Sequence, residues 1–240
     1  MFQRRSFLKA FSVFADETAG FPERSSNMDA PSPSPLLTYT PPISPPIPER
    51  EPHAGLRAEV GAQTLRIFRR EAPVTVLGPG SRAVIWVQGC PFACRNCIVP
   101  ESWEAEGGEQ ISVAELASWV LEQPEIEGLT LSGGEPMAQA AALTQLIRQV
   151  VAQRDLSVVC YTGYTHEHLC GHGTPDQQRF LQHIDLLIDG VYLEQRHADL
   201  LWRGSANQRL ICLSERYREL VATQTAKTDR SAGIEFFMDS

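Results

Sequence analysis

Ten of the chain's 17 prolines fall within its first 52 residues, and the other seven are spread over the remaining 188. Proline fixes its own φ and removes a backbone donor, so the run from Pro31 to Pro52 favours extended polyproline conformations over a packed core. Residues 1–54 are therefore expected to form a disordered leader, residues 55–222 the folded domain and residues 223–240 a C-terminal tail. The leader carries 5 basic and 6 acidic residues, so it accounts for only one unit of the chain's net charge of −8. Arg4-Arg5-Ser6-Phe7-Leu8-Lys9 looks like a twin-arginine export signal. The apolar stretch from Ala10 to Ala15 meets Asp16 and Glu17 too soon for an h-region, which makes a chance match the better reading. Met28 stands beside Met1 as a start.

The acidic balance repels a phosphate backbone and argues against a nucleic-acid partner. No stretch approaches the ~20 apolar residues of a membrane span, so no membrane partner is expected and the location is read as cytoplasmic. Six cysteines, unevenly placed in 240 residues, do not make a disulfide-stapled scaffold.

From Gly55 onward apolar strands alternate with amphipathic helices. Leu65–Phe68, Val74–Leu77, Ala83–Val87, Leu129–Leu131, Leu156–Tyr161, Leu186–Ile188 and Leu210–Leu213 read as strands, with a Gly78-Pro79-Gly80 turn between the second and third. Ser112-Val113-Ala114-Glu115 reads as a capping box opening a helix to about Gln123. Residues 138–152 place Leu143, Leu146, Ile147, Val150 and Val151 on one helical face. Shorter helices are expected over 177–182 and from Glu215 to about Ala222. Strand–helix–strand alternation implies parallel strands with helical crossovers, hence an α/β domain.

The strand Ala83–Val87 runs directly into Gln88-Gly89-Cys90-Pro91-Phe92-Ala93-Cys94-Arg95-Asn96-Cys97. Three thiols at C-x3-C-x2-C spacing can converge on one metal centre, and soft thiolates select zinc, copper(I) or iron–sulfur clusters. Structural zinc and ordinary clusters want four protein ligands. This loop offers three, and Cys160, Cys170 and Cys212 lie more than 60 residues away. A three-cysteine cubane leaves one iron open, as catalysis requires. Three reduced thiols at a packed strand end are the plain alternative.

Leu131-Ser132-Gly133-Gly134-Glu135-Pro136 ends the next strand. Paired glycines allow a close backbone approach to a ligand, and Pro136 suits a helix first turn. Glu135 adds an acceptor at the mouth of the sheet, where parallel α/β folds place ligands. A simple turn would account for the motif alone; one helix and one strand after the cysteine loop, it points to a site.

These two motifs together resemble the radical S-adenosylmethionine superfamily. Trp86-Val87-Gln88-Gly89-Cys90-Pro91, Cys97 through Trp103, Tyr161-Thr162-Gly163-Tyr164, Ile188-Asp189-Gly190 and Gly204-Ser205-Ala206-Asn207-Gln208-Arg209 narrow the resemblance to the activating proteins of anaerobic ribonucleotide reductase, relatives of pyruvate formate-lyase activating enzyme. It spans residues 65–217 and implies a partial parallel (βα) barrel of the small radical SAM type. It implies that Cys90, Cys94 and Cys97 ligate three irons of a [4Fe–4S] cluster, with S-adenosylmethionine chelating the fourth. Gly133, Gly134, Glu135 and Pro136 would form the cofactor-binding turn, and Asp189, with Thr162 as companion, would bind a cation beside the cofactor's carboxylate. A capping Asp is an equal reading of Asp189. An electron from the reduced cluster would cleave the cofactor to methionine and a 5′-deoxyadenosyl radical. The implied partners are a glycyl-radical enzyme and an electron donor such as flavodoxin or ferredoxin. The chain departs from many superfamily members in having Asn96, not an aromatic residue, before the third cysteine.

Other residues have ordinary readings. His166, His168, Cys170 and His172 alternate in what reads as an exposed loop and more often bind nothing. Cys160 and Cys212 are ordinary strand thiols. Arg203, Arg209 and Arg216 read as surface charge, with an acidic partner or the cofactor carboxylate as the alternative. Trp103 and Trp119 are core or interface aromatics. Two rivals to the activase remain: a radical SAM enzyme acting on a small molecule or peptide, and a non-catalytic iron–sulfur or zinc module.

Overall fold

The computed structural model describes residues 63–224. The expected leader, its arginine pair and the tail beyond residue 224 lie outside the described residues.

A seven-stranded sheet organises the domain, in the order β3-β1-β2-β4-β5-β6-β9. Four strands form its parallel centre: β2 (Arg82–Val87), β4 (Gly128–Gly133), β5 (Ser157–Thr162) and β6 (Leu186–Asp189). Each is buried along most of its length, as a strand covered on both faces must be. β1 (Thr64–Val74) and β3 (Glu109–Ser112) add antiparallel to one side, and β9 (Arg209–Cys212) to the other. A separate two-stranded ribbon pairs β7 (His197–Leu200) with β8 (Arg203–Ser205). The domain is thus α/β with a parallel centre, as expected, and its antiparallel flanks come in addition.

Helices α1 (Val113–Leu121), α2 (Ala140–Val151) and α4 (Pro175–Leu181) bring Leu116, Val120, Leu143, Leu146, Ile147, Val150 and Phe180 into one apolar core with Leu65, Ile85, Leu129 and Leu131 of the sheet. Burying one such side chain stabilises by about 1.5–3 kcal/mol, so the periodic face read over 138–152 is what fixes α2 in place. The first turn of that stretch is a 3-10 turn over Pro136–Gln139, capped by Glu135. A smaller cluster on the opposite face gathers Val159, Leu186 and Ile188.

The fully buried Arg82 ties the amino ends of the central strands. Its guanidinium donates to Thr130 Oγ1 (2.6 Å), Pro79 O (2.8 Å), Leu129 O (2.8 Å) and Ser157 O (3.0 Å). Burial lowers its pKa despite the neighbouring Tyr217.

Several elements differ from the sequence reading. β1 runs on through Val74, so no separate strand covers Val74–Leu77; Gly78 and Gly80, at φ +123° and +71°, turn the chain there. β3, β7 and β8 are short and mostly polar, with too little apolar alternation to register. His166–His172 is a helix, α3, not a loop; Thr165 Oγ1 caps it by accepting from His168 N at 3.3 Å. Ser112 Oγ does accept from Glu115 N at 3.1 Å, whereas the reciprocal capping box forms at Thr174 and Gln177, opening α4.

Candidate functional site

Parallel pairing of β2, β4, β5 and β6 brings their carboxyl ends to one edge, where an α/β sheet receives ligands. Cys90, Glu135, Thr162 and Asp189 all lie at or just past those ends. Four motifs spread over a hundred residues of sequence become neighbours through strand order alone.

The cysteine loop leaves β2 at Gly89, whose φ of +92° is the left-handed region that favours glycine. The returning segment holds the exit: Gly89 N donates to Ser102 O (2.8 Å) and Cys90 N to Trp103 O (3.0 Å). Gln88, 3% exposed, secures that segment by donating its amide to Glu101 O (3.0 Å) and Glu104 O (2.7 Å). Within the loop Ala93 and Asn96 take φ of +42° and +52°, unusual for residues with a Cβ and needed for the tight winding between the thiols. The Asn96 amide binds the Glu194 carboxylate.

All three loop thiols are half-buried, whereas Cys160 is fully buried in β5. Burial pushes the Cys90 and Cys94 thiols up, while the backbone N–H groups of Phe92 and Ala93 facing Cys90, and of Tyr192 facing Cys94, pull the other way. A metal deprotonates a coordinating thiol outright, and those N–H groups then face a thiolate sulfur. Among the described residues no three His, Cys, Asp or Glu side chains converge tightly enough to hold a single metal ion. A cubane asks for less convergence, since each cysteine takes a different iron. Three soft, half-buried donors on one wound loop at the carboxyl edge of the sheet fit a [4Fe–4S] cluster.

The glycine pair also serves the packing of backbone on backbone. Gly134 N donates to Val87 O and Glu135 N to Gly89 O, both at 2.8 Å, so the turn after β4 is laid directly on the root of the cysteine loop. A Cβ on Gly134 would lie 2.3 Å from Gly89 O and 3.0 Å from Ser102 O. One on Gly133, at φ +94°, would meet Trp86 Cα and Val87 N at 2.7 Å. The missing side chains make room for neighbouring backbone.

Glu135 is 1% exposed and its carboxylate is well supplied with donors. Oε1 accepts from Met137 N (2.8 Å) and Thr162 Oγ1 (2.9 Å), and Oε2 from Gly163 N (2.8 Å). A carboxylate has about four acceptor positions, so one remains on Oε2, enough for an ammonium group. Burial pushes the Glu135 carboxyl up to about 7, against the pull of those three donors. Thr162 thus serves as the orienting partner of Glu135.

Asp189, also 1% exposed, likewise takes three donors. It accepts from His166 N (2.8 Å) at the start of α3 and from Arg209 Nε (2.9 Å), and pairs with the second Arg209 nitrogen. Arg209 reaches on to Glu167 at 3.0 and 2.7 Å. Asp189 thus caps the first turn of α3. Of the other arginines, Arg216 pairs with Asp155, and Arg203 approaches the carbonyls of Leu201 and Gln208 at 3.4 Å. His168 stacks between Tyr164 and His172, and His166 Nε2 lies 3.4 Å from Cys170 Sγ.

Phe92, Gly163, Glu194, Asn207 and Gln208 join the site although nothing in their residue type singles them out. Their roles depend on long-range contact; in the sequence, all but Glu194 are marked only by lying in or beside the motifs that carry the resemblance.

The fold and this edge define an α/β protein that presents three thiols where its parallel strands end. The family described as "4Fe-4S single cluster domain" matches residues 76–211. The anaerobic ribonucleoside-triphosphate reductase-activating protein of Vibrio cholerae is 35% identical over 153 residues, covering 59% of this chain and 94% of that protein. The protein of the same name from Enterobacteria phage T4 is 36% identical over 141 residues, covering 56% and 86%. Among solved structures, QueE from Escherichia coli aligns over 43% of this chain and 54% of that one, at 21% identity and a TM-score of 0.35. The chain belongs to the 4Fe-4S single cluster domain family, among the anaerobic ribonucleoside-triphosphate reductase-activating proteins.

Proposed function

We propose that the chain is a radical S-adenosylmethionine oxidoreductase that generates a glycyl radical on a partner enzyme of the anaerobic ribonucleotide reductase kind. One observation carries the reading: the backbone pairing of Gly134 and Glu135 with Val87 and Gly89, which fastens the cofactor turn to the cysteine loop. Cys90, Cys94 and Cys97 are the three cluster ligands, and the loop holds no fourth thiol. When bound, the [4Fe–4S] cluster and S-adenosylmethionine supply the one-electron cleavage that yields a 5′-deoxyadenosyl radical.

The chain's own residues bind, orient and seal. Glu135 offers its remaining Oε2 position to the cofactor's ammonium group, and Thr162 and Gly163 hold that carboxylate in one orientation. Asp189 and Arg209 brace the end of β6 beside them. Phe92, packed on Gly163 and on the Tyr164 ring at 4.9 Å, shields one side of the loop from water. The electron comes from a flavodoxin- or ferredoxin-type donor, and the protein works in the cytoplasm. Among the described residues no helix is long and apolar enough to cross a membrane.

The test is anaerobic loading with iron and sulfide, reduction by dithionite, addition of S-adenosylmethionine and separation of products. Formation of 5′-deoxyadenosine, and of a glycyl-radical EPR signal once the partner reductase is added, is the expected result. Fully loaded, reduced protein that forms no 5′-deoxyadenosine even with the partner present overturns the reading.

A further inference from the structure

An amino acid carries its ammonium group and its carboxylate on the same carbon, so a site that takes its amino end needs a cation close to the anion. Glu135 is that anion, with one Oε2 position left open. The strand register shows where the cation stands. Glu135 Oε1 accepts from Thr162 Oγ1 at 2.9 Å, Thr162 pairs with Asp189 across β5 and β6, and Asp189 pairs with Arg209 across β6 and β9. These four residues form one row along the carboxyl edge. β9 runs antiparallel to β6, so its first residue, Arg209, is the one that reaches that edge. The two residues before it are tied to the chain leaving β6: Asn207 Nδ2 donates to Val191 O at 2.7 Å and Gln208 Nε2 to Gly190 O at 3.1 Å. Of the other two arginines, Arg216 pairs with Asp155, ahead of β5 at the opposite end of the sheet, and Arg203 belongs to the two-stranded ribbon.

Asp189 draws the Arg209 guanidinium back over β6, which lies one strand spacing, about 4.8 Å, from β5. Nε and one Nη2 hydrogen serve Asp189. The outer side of the same group forks onto Glu167, Nη1 to Oε1 at 3.0 Å and Nη2 to Oε2 at 2.7 Å. Two parallel N–H groups of a guanidinium are the geometry that receives a carboxylate. The carboxylate now in the fork is a replaceable one. The Glu167 side chain is 53% exposed on the two-turn helix α3, whereas Asp189 is buried.

We propose that the outer fork of Arg209 is the binding position for the carboxylate of S-adenosylmethionine, and that Glu167 holds this fork in the cofactor-free protein. This rests on the radical S-adenosylmethionine reading of the site. Exchanging one carboxylate for another keeps Arg209 paired and returns Glu167 to water, while Asp189 holds the guanidinium in place throughout. Glu135 and Arg209 together then select a ligand that carries both charges of an amino acid.

The test is calorimetric binding to full-length protein, loaded anaerobically and left oxidised so that nothing is cleaved, with iron and sulfide counted in each variant. The ligands are S-adenosylmethionine and its decarboxylated form. Arg209→Gln should weaken S-adenosylmethionine binding about tenfold, the loss of one charge-assisted contact. Glu167→Gln, a change at an exposed position, should tighten it about threefold, because a competing charge is gone. The decarboxylated ligand should not be tightened by Glu167→Gln and should lose far less on Arg209→Gln. Arg216→Gln is the control with unchanged binding.

Unchanged or weaker S-adenosylmethionine binding in Glu167→Gln overturns the proposal, and so does an equal loss for both ligands in Arg209→Gln, since Arg209 then acts through the fold alone. Where Arg209→Gln fails to fold or to load, Glu167→Gln decides by itself: tightening confined to the ligand with the carboxylate supports the proposal. Loaded wild-type protein that binds no S-adenosylmethionine overturns the reading of the site instead, and that failure shows before any substitution is made.

Discussion

Gly163 sits so close under the Phe92 ring that a Cβ on it would lie 2.5 Å from both Cδ2 and Cε2. Phe92 stands between the first two cysteines, and Gly163 follows the last residue of β5. The contact pins the middle of the cysteine loop to a strand two places away in the sheet, and Tyr164, edge-on to Phe92 at an interplanar angle of 71°, closes the other side.

Gly163→Ala should therefore cost about 1–3 kcal/mol, the usual range for overfilling a packed site. Phe92 must move to admit the methyl group, so cluster loading should fall with stability. Combining it with Phe92→Ala should cost less than the sum of the two single changes, because the second substitution removes what the first one strikes. Urea denaturation of the four proteins measures the coupling; strictly additive costs would mean that the ring and the glycine do not bear on each other.

Gly134→Ala tests what the glycine pair makes room for. The added methyl would sit 2.3 Å from Gly89 O, on the backbone that leads into Cys90. The expected outcome is poor cluster uptake together with a stability loss of about 1–3 kcal/mol. Full uptake with weakened S-adenosylmethionine binding alone would restore the simpler idea that this glycine clears space for the cofactor. Iron counting and calorimetric binding distinguish the two.

Glu135 makes stability depend on pH. Burial raises its folded value from 4.5 to about 7, so between those values the folded protein holds a proton that the unfolded chain releases. This group's contribution is complete below the unfolded value and is lost as pH rises through the folded one. Cluster-free protein should lose about 1–3 kcal/mol of stability from this source between about pH 5 and pH 8. Glu135→Gln should flatten that part of the profile, whatever its cost at a single pH. A profile of equal slope in both proteins would place the proton elsewhere.

Arg209 answers to a different balance. Asp189 is 1% exposed, and Arg209 and the His166 N–H are the groups that bond its carboxylate. Arg209→Met would leave that carboxylate buried beside an unpaired Glu167, with an expected loss of about 3 kcal/mol. That is the lower end for a broken buried pair, because the Arg209 side chain is 36% exposed and water can partly replace it. Lysine should rescue only partly, since it cannot span both carboxylates with a planar fork. Equal stability of the lysine variant and the parent would show that charge alone matters there.

Chemistry that lives in residue type and spacing is legible in the amino-acid sequence. The three cysteines, the Gly-Gly-Glu-Pro turn and the parallel centre of the sheet all follow from local pattern. Chemistry that lives in contact is not. Nothing local in the sequence tells that Gly89 O fills the space a Gly134 Cβ would take, or that Arg209, twenty residues on, bonds Asp189. Short polar elements stay hidden for another reason. α3 has Leu169 and His166 as its buried residues, so no apolar stripe announces it. The alternation of His and Cys that suggests a loop metal site falls on that helix, with His166 buried and His168, Cys170 and His172 exposed.

The ligand assignment itself is open to a direct series. Cys90, Cys94 and Cys97 lie on one loop, half-buried, at the carboxyl edge of the sheet. Cys160 is fully buried within β5, Cys212 is half-buried at the end of β9, and Cys170 is exposed on α3. Cys-to-Ala changes at the first three positions should each abolish the [4Fe–4S] chromophore or leave it labile, because an iron loses its protein anchor, while barely changing the stability of the cluster-free fold. Cys160→Ala should do the reverse: a small buried thiol is lost from the core, at a cost of about 1 kcal/mol, and the chromophore stays. Cys170→Ala and Cys212→Ala should leave the chromophore in place. Iron and sulfide counts beside the visible spectrum read the first effect, and thermal melting of cluster-free protein reads the second. Full iron content with an unaltered spectrum in any of the three loop variants would remove that cysteine from the ligand set. Loss of the cluster on replacing Cys170 or Cys212 would instead bring in a fourth protein ligand and close the coordination position that the proposed chemistry needs.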